Sequence, residues 1–324
     1  MADVALLSNP RSTGNRSLLP RVRSFCARHP EIFHYEVEEV EQIGEALKTI
    51  ARVKPKVLVI NGGDGTVQAA LTELYHGSHF ATGAPPVAVL PNGKTNLIAL
   101  DLGATGDPLE ALARVLEIAK AGVASHVVAR ELIAVTDGRA NTRPVLGMFL
   151  GGAGLADSIL FCRHKIYPLG LPNSLSHALT VMALILTAVF GARASFLPGR
   201  PSPLSVSVLR QGELTGRFAL LLVTTLERLL LNTKTRNSSS SMGALKLMAV
   251  EERPATVFRA LWAALGGRLG RTRMRGVHIQ RGDEIRIEGD RSSVILDGEL
   301  YETSEGRPIV LKPTAPVPFL SLAA

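Results

Sequence analysis

The sequence has few cysteines, few aromatic residues and no apolar run long enough to cross a bilayer. Cys26 and Cys162 are the only cysteines, too few for a disulfide framework or a zinc site and consistent with a reducing cytosol. Because only 5% of residues are aromatic and no nucleic-acid-binding motif is present, no nucleic-acid partner is expected. The longest apolar run, residues 178–192, is shorter than the roughly 20 residues of a transmembrane helix. It predicts either a core helix or a helix that flanks an acyl-chain cleft.

No export signal is expected, because the sequence opens with the apolar strand MADVALLSNP, which has neither the basic segment nor the long apolar segment of such a signal. We therefore expect a cytoplasmic protein. Its net charge of +8 and isoelectric point of about 9.8 favour an anionic partner, and charge alone does not choose among a nucleotide, a nucleic acid and an acidic membrane face. With 324 residues, 46% of them hydrophobic, the chain can bury a large core and is most simply two domains.

Apolar strands alternate with amphipathic helices through the first 125 residues. Strands are predicted near residues 4–7, 33–37, 57–60 and 87–90, and helices from residue 17 and over 43–53, 67–75 and 108–121. Such alternation is typical of an open, mostly parallel, Rossmann-like sheet with helices on both faces. We assign residues 1–125 to this α/β domain. Longer strands rich in Val, Leu, Ile and Thr then predict a β-rich, antiparallel, sandwich-like domain over 126–297, and segment 298–324 is expected to rejoin the first domain.

Three polar loops follow strands of the predicted parallel sheet, at the edge where such sheets bind ligands. They are SNPRSTG (residues 8–14), NGGDGT (61–66) and PNGKTN (91–96). Gly62, Gly63 and Gly65 have no Cβ, so backbone N–H groups there can approach phosphate oxygens closely at the start of a helix. The third loop either supplies further phosphate donors or is a structural turn.

Two acidic stretches have two possible roles each. Asp64 either caps the helix that follows it or holds a Mg²⁺ that neutralises phosphates, and Thr66 either caps the helix or donates to a phosphate. Near the C-terminus, VILDGELY places Asp297 and Glu299 two residues apart. In a strand that spacing puts both carboxylates on one face, as a base and metal-binding pair requires, whereas Asp-Gly between apolar runs is also a strong hairpin signal.

In this order the motifs NPRSTG, NGGDGT, LPNGKTN and LDGE resemble the diacylglycerol kinase catalytic-domain family of lipid kinases, which is related to NAD kinases. The resemblance extends over nearly the whole chain, and GGDGT is its most specific part. It implies a nucleotide-binding α/β domain, a β-rich lipid-substrate domain and an active site in the cleft between them. It also implies transfer of the γ-phosphate of ATP to a lipid hydroxyl with Mg²⁺.

Carried over by position, the resemblance assigns roles to individual residues. Asp297 would be the general base, and Asp64 and Glu299 would be catalytic carboxylates that bind the metal. The nucleotide would be bound by Asn9, Gly62, Gly63, Asp64, Gly65, Thr66, Gly93, Lys94, Thr95 and Asn96. Phosphoryl transfer needs mainly positioning and charge neutralisation, which agrees with this set.

The third loop departs from the family pattern P-x-G-T-x-N-D. Lys94 replaces the threonine and Leu97 the acid, and Met242 stands where an acidic D-G-x-L stretch helps to bind a structural metal in the family. We interpret Lys94 as a cation beside the ATP phosphates, with an exposed loop lysine as the alternative. Two other functions stay open: an NAD kinase, although the N-T-D motif of that family is missing, and a nucleotide- or lipid-binding module that has lost catalysis.

A basic stretch near the C-terminus bears on location. Its arginines are Arg268, Arg271, Arg273, Arg275 and Arg281. They follow the apolar segment 258–265, in a stretch without acidic residues. This pattern predicts either peripheral contact with the anionic inner face of the membrane or a solvated strand face.

Overall fold

The computed structural model describes ten segments of the chain: residues 2–81, 83–93, 95–139, 141–161, 202–229, 233–234, 243–269, 273–289, 293–304 and 306–323. Elements are labelled in chain order. The features singled out in the sequence that lie outside the described residues are Lys94, Cys162, the apolar run 178–192, Met242 and Arg271.

A six-stranded sheet forms the core of the N-terminal part. Its strands are β1 (Val4–Ser8), β2 (Ile32–Glu36), β3 (Val57–Asn61), β4 (Val87–Val89), β5 (Val127–Arg130) and β20 (Val317–Leu320). The order is β2-β1-β3-β4-β20-β5, and every pair is parallel except β20 with β5. Strands β1, β3 and β4 are buried along their whole length, which explains their unbroken apolar sequences.

Five helices accompany this sheet: α1 (Asn15–Arg28), α2 (Ile43–Val53), α3 (Asp64–His76), α4 (Leu97–Asp101) and α5 (Pro108–Ala121). Helix α1 packs on α5 and α2 packs on α3, and both pairs contact the strands. The predicted bounds of α2 and α5 are confirmed. Helix α3 was wrongly predicted to begin at Val67, three residues late, and the short α4 was missed.

Two antiparallel six-stranded sheets follow. The first contains β6 (Ile133–Thr136), β7 (Val145–Gly147), β9 (Leu204–Val208), β10 (Gly212–Gly216), β16 (Ile285–Glu288) and β19 (Ile309–Pro313). The second contains β8 (Phe149–Gly152), β11 (Phe218–Thr224), β14 (Leu245–Glu251), β15 (Val277–Gly282), β17 (Ser293–Leu296) and β18 (Glu299–Glu302). Alternate residues of both sheets form one shared core, and the predicted combination of a Rossmann-like sheet with a β-sandwich is confirmed.

The remaining elements are α6 (Gly154–Phe161), α7 (Pro254–Leu265), and the strand pair β12 (Arg228–Leu229) and β13 (Thr233–Lys234). Both β5 and the C-terminal β20 belong to the first sheet. The exact boundaries of the two predicted domains stay a prediction. Within the described part of the chain, no helix combines the length and the apolar character needed to cross a bilayer.

Candidate active site

Buried asparagines join the three polar loops at the carboxyl edge of the first sheet. The Asn92 amide donates to Asn15 Oδ1 at 2.6 Å and to Asn61 Oδ1 at 2.8 Å. The Asn15 amide donates in turn to the backbone oxygens of Asn9 at 2.8 Å and Asn61 at 3.0 Å. All four side chains are buried, so each bond replaces contact with water and holds one loop against another. Asn15 and Asn92 were not among the site residues predicted from the sequence.

Replacing Asn92 tests whether this network stabilises the protein. We expect Asn92→Ala to lower the free energy of unfolding by about 1–3 kcal/mol, because it leaves buried acceptors unsatisfied. Asn92→Asp should lower it further at pH 8, since a carboxylate would face two amide oxygens. Urea unfolding measures both, with the exposed Asn141→Asp as the matched control. Wild-type stability of the Asn92→Asp protein would contradict the network.

The first loop contacts the start of α3. Asn9 Nδ2 donates to Thr66 Oγ1 at 3.0 Å, and both side chains are buried. Gly63 is the N-cap of α3 and has an extended conformation, so neither Asp64 nor Thr66 caps the helix and that interpretation was wrong. Asp64 is the first helical residue and Thr66 the third. The backbone N–H groups of the first turn therefore belong to NGGDGT itself.

The third loop lies against Asp64. Thr95 Oγ1 donates to Asp64 Oδ2 at 2.9 Å, and the backbone N–H of Gly93 donates to Asn96 Oδ1 at 2.6 Å. A Cβ on Gly93 would lie 2.9 Å from Asp64 Oδ1, so only glycine allows the carboxylate this close. Asn96 is left-handed, with φ of 52°, a conformation that asparagine tolerates well. The second and third loops thus form one surface.

Asp297 and Gly298 form the turn of a hairpin. Their φ angles are 45° and 90°, and the flanking residues Leu296 and Glu299 pair across β17 and β18. Two consecutive positive φ angles are typical of the type I′ turn that Asp-Gly favours. The hairpin interpretation is confirmed, and the alternative that both carboxylates share one face of a strand was wrong.

This turn packs on the N-terminal end of α3. Gln68 Nε2 donates to the backbone oxygen of Leu296 at 2.9 Å. A Cβ on Gly65 would lie only 2.6 Å from Glu299 Oε1, and a Cβ on Gly298 would lie 3.8 Å from Asp64 Oδ2. The fold therefore brings the two acidic motifs of the sequence together, although they lie near opposite ends of the chain.

Asp297 is a buried carboxyl group with two backbone donors. Its Oδ1 accepts from the Phe149 N–H and its Oδ2 from the Met148 N–H, each at 2.9 Å. Burial, with a smaller contribution from the nearby charge of Asp64, raises the pKa of Asp297 to about 7 against the opposing effect of the two N–H groups. A carboxyl group with a pKa near neutrality can accept and release a proton under physiological conditions.

The carboxylates of Asp64 and Glu299 suit a metal ion whose remaining ligands come from a bound phosphate group and water. Within the described residues, no group of three or more His, Cys, Asp or Glu side chains is arranged to hold a metal. Mg²⁺ is commonly held by only one or two carboxylates, with phosphates and water completing its shell. Asp64 and Glu299 fit that donor set. All predicted site residues except Lys94 lie in the described part of the chain, and they converge around the start of α3.

Comparison with known proteins relates part of this chain to a kinase family. Residues 3–126 match the diacylglycerol kinase catalytic domain, which confirms the predicted relationship and relates this segment to a kinase family. A protein named "Probable lipid kinase YegS-like" from Stenotrophomonas maltophilia is 31% identical over 111 residues. That match covers 33% of this chain and 35% of the length of the relative, so the matched segment spans about a third of each protein.

The fold is shared over a longer range. A crystal structure of a diacylglycerol kinase from Bacillus anthracis superposes with a TM-score of 0.62. The superposition covers 99% of this chain and 97% of that protein, at 17% sequence identity. At that identity the likeness establishes the fold alone. The β-rich part of the chain therefore shares its architecture with that kinase.

Proposed function

We propose that this protein is an ATP-dependent lipid kinase that transfers the γ-phosphate to the hydroxyl of a diacylglycerol-like lipid. One observation supports it above all: the turn bearing Asp297, with its pKa near 7, packs on the start of α3 beside Asp64. A proton acceptor and a phosphate-binding helix end are thereby adjacent. The match to a kinase catalytic domain supports the reaction type.

The nucleotide side of the reaction is assigned to the three loops. The positive end of α3, opened by Gly63, is oriented to bind the phosphates of ATP, and Thr95 holds Asp64 beside it. Asp64 and Glu299 would hold Mg²⁺, which supplies charge neutralisation for the phosphoryl group when bound. The role of Lys94 as a cation beside the phosphates stays a prediction from the sequence.

Asp297 is assigned to the lipid side of the reaction. Its carboxylate takes the proton of the lipid hydroxyl as the alcohol oxygen forms a bond to the γ-phosphorus. The bond from that phosphorus to the bridging oxygen breaks, and ADP leaves with the electron pair. The two hydrogen bonds donated by the backbone N–H groups of Met148 and Phe149 fix the orientation of the carboxylate. Apart from the charge neutralisation that Mg²⁺ would supply, the reaction requires only positioning and one proton acceptor.

A lipid as the acceptor is supported by the relatives. The family that matches residues 3–126 is a diacylglycerol kinase domain, and the curated relative is named a probable lipid kinase.

Transfer of label from γ-labelled ATP with Mg²⁺ tests the proposal. We expect labelled lipid from vesicles that contain diacylglycerol, monoacylglycerol, sphingosine, ceramide or phosphatidylglycerol, with Asp297→Asn as the control in which transfer is strongly reduced. Soluble NAD is included in the panel. Label in NADP would contradict the lipid kinase proposal and identify an NAD kinase instead. Binding of ATP without transfer to any acceptor would favour a binding module.

A further inference from the structure

Helix α7 exposes two large aromatic side chains. Phe258 is 51% exposed and Trp262 is 62% exposed, whereas Thr256 and Ala260 on the opposite side are buried. The two rings lie one helical turn apart, with centroids separated by 6.2 Å in an edge-to-face arrangement. Scattered exposed apolar residues are common, whereas two large aromatic rings in edge-to-face contact on the outer face of a helix form a contiguous apolar patch suited to a contact surface.

The surroundings of this pair are basic. Residues 253–282 include no aspartate or glutamate. The exposed arginines of this stretch in the described residues are Arg253, Arg259, Arg268, Arg273 and Arg275. The turn that contains Arg275 lies against the start of α7, because a Cβ on Gly276 would be only 2.8 Å from Thr256 Oγ1. Arg253 is held by Glu251 at 3.0 Å, so its charge is partly compensated.

The neighbouring strand extends the apolar surface. Ile279 on β15 is 48% exposed and pairs with Met248 on β14. Met248 alternates with the core residues Leu247 and Ala249, so it points away from the sandwich core, toward the side of the sheet that α7 covers. Directly opposed residues of antiparallel strands point to the same face. Ile279 therefore lies on the same side of the sheet as the aromatic pair.

We propose that the α7 face, defined as Phe258, Arg259, Trp262, Arg268, Arg275 and Ile279, docks on an anionic lipid surface. Exposed aromatic rings within a rim of arginines match the headgroup boundary of a bilayer, where rings are buried and guanidinium groups meet phosphates. A symmetric contact between two copies of this chain would instead set arginine rims against each other. The inference rests on the proposed function, since a lipid kinase must reach a bilayer.

The single tryptophan of the chain makes docking directly measurable. We expect the emission of Trp262 in the wild-type protein to shift to shorter wavelength with vesicles of phosphatidylcholine and phosphatidylglycerol. With pure phosphatidylcholine, or in high salt, the shift should be much smaller. The titration is done without ATP, so vesicle binding is judged separately from turnover. Binding without lipid phosphorylation would refute the proposed function alone.

Amino-acid substitutions test whether vesicle binding depends on the α7 face. Arg259→Glu should weaken the vesicle partition coefficient at least about fivefold, because each arginine near the surface contributes about a factor of five. Phe258→Ser should weaken it about tenfold. Leu209→Ser is the matched control, since Leu209 is 53% exposed in the turn after β9, and it should bind vesicles like the wild type.

Three results would overturn the docking proposal. The first is no emission shift with anionic vesicles. The second is emission typical of a buried indole in buffer alone, which would mean that this face is already covered. The third is a shift that depends on protein concentration without vesicles, which would identify a second copy of the chain as the partner.

Discussion

Replacing Asp297 with asparagine is expected to lower kcat by about 10²–10⁴, the usual contribution of a general base. Asparagine keeps the shape of the side chain and tolerates the positive φ at this position, and Asn-Gly is a preferred type I′ turn. The amide nitrogen of the variant would face one of the two N–H groups that the carboxylate accepts from, which should lower the free energy of unfolding by about 1–3 kcal/mol without preventing folding. The catalytic loss should appear in kcat while the Michaelis constant for ATP changes little. Labelled transfer to the best lipid of the panel measures both.

The pH profile separates a base from a merely structural residue. Because burial raises the pKa of Asp297 to about 7, kcat/KM of the wild type should rise with pH up to about pH 7 and then level off. The residual activity of Asp297→Asn should lack that rise. Asp283→Asn changes an exposed aspartate and serves as the control with wild-type behaviour. An unchanged profile in Asp297→Asn would rule out Asp297 as the base.

Stability should depend on the same group in a defined direction. The pKa of Asp297 in the folded protein is above its ordinary value of 3.8, so the protonated form favours folding. This contribution is complete below about pH 4 and is lost as pH rises through about 7. Between pH 5 and pH 8 the free energy of unfolding of the wild type should fall by about 3 kcal/mol relative to that of Asp297→Asn. The figure corresponds to about two pH units, from pH 5 to the pKa, at about 1.4 kcal/mol per unit. Urea unfolding at both pH values measures the difference.

Local signals in the sequence were sufficient for some elements. Helix α5 was predicted with its exact bounds because Asp107 caps it through a bond to the Leu109 N–H and Pro108 occupies the first position. The start of α3 was missed because Gly65 has a low helix propensity, yet it lies inside the first turn. There the contact with Glu299 determines which residue is allowed, and that contact joins distant parts of the chain.

The polar network could not be predicted from spacing alone. Asn15 and Asn92 meet only because β1 lies beside β3 and β3 beside β4, an order that the sequence pattern does not specify. The same holds for Asp297, whose raised pKa arises from burial against strands β7 and β8. The motifs located the residues near the site, and the long-range packing determines their chemistry.

Replacing Gly65 with alanine is expected to lower kcat about 100-fold through its effect on Glu299. A Cβ at this position would lie 2.6 Å from Glu299 Oε1, and the end of a glutamate side chain can move away at little cost in stability. The helix should tolerate alanine, so the unfolding midpoint should stay near that of the wild type. A displacement of about 1 Å in a catalytic group is enough for a loss of this size.

A double-mutant cycle with Glu299→Gln decides whether Gly65 acts through Glu299. Because the methyl group works by displacing that carboxylate, Gly65→Ala should cost little more once Glu299 is already replaced, and the two losses should be far from additive. Gly63→Ala is the matched comparison: its Cβ would meet Ser12 Cβ at 3.9 Å, an ordinary contact, so it leaves Glu299 in place. It should raise the Michaelis constant for ATP instead and combine additively with Glu299→Gln. Additive losses for Gly65→Ala would mean that its methyl group obstructs the phosphates directly, and Glu299 would then have no part in the effect.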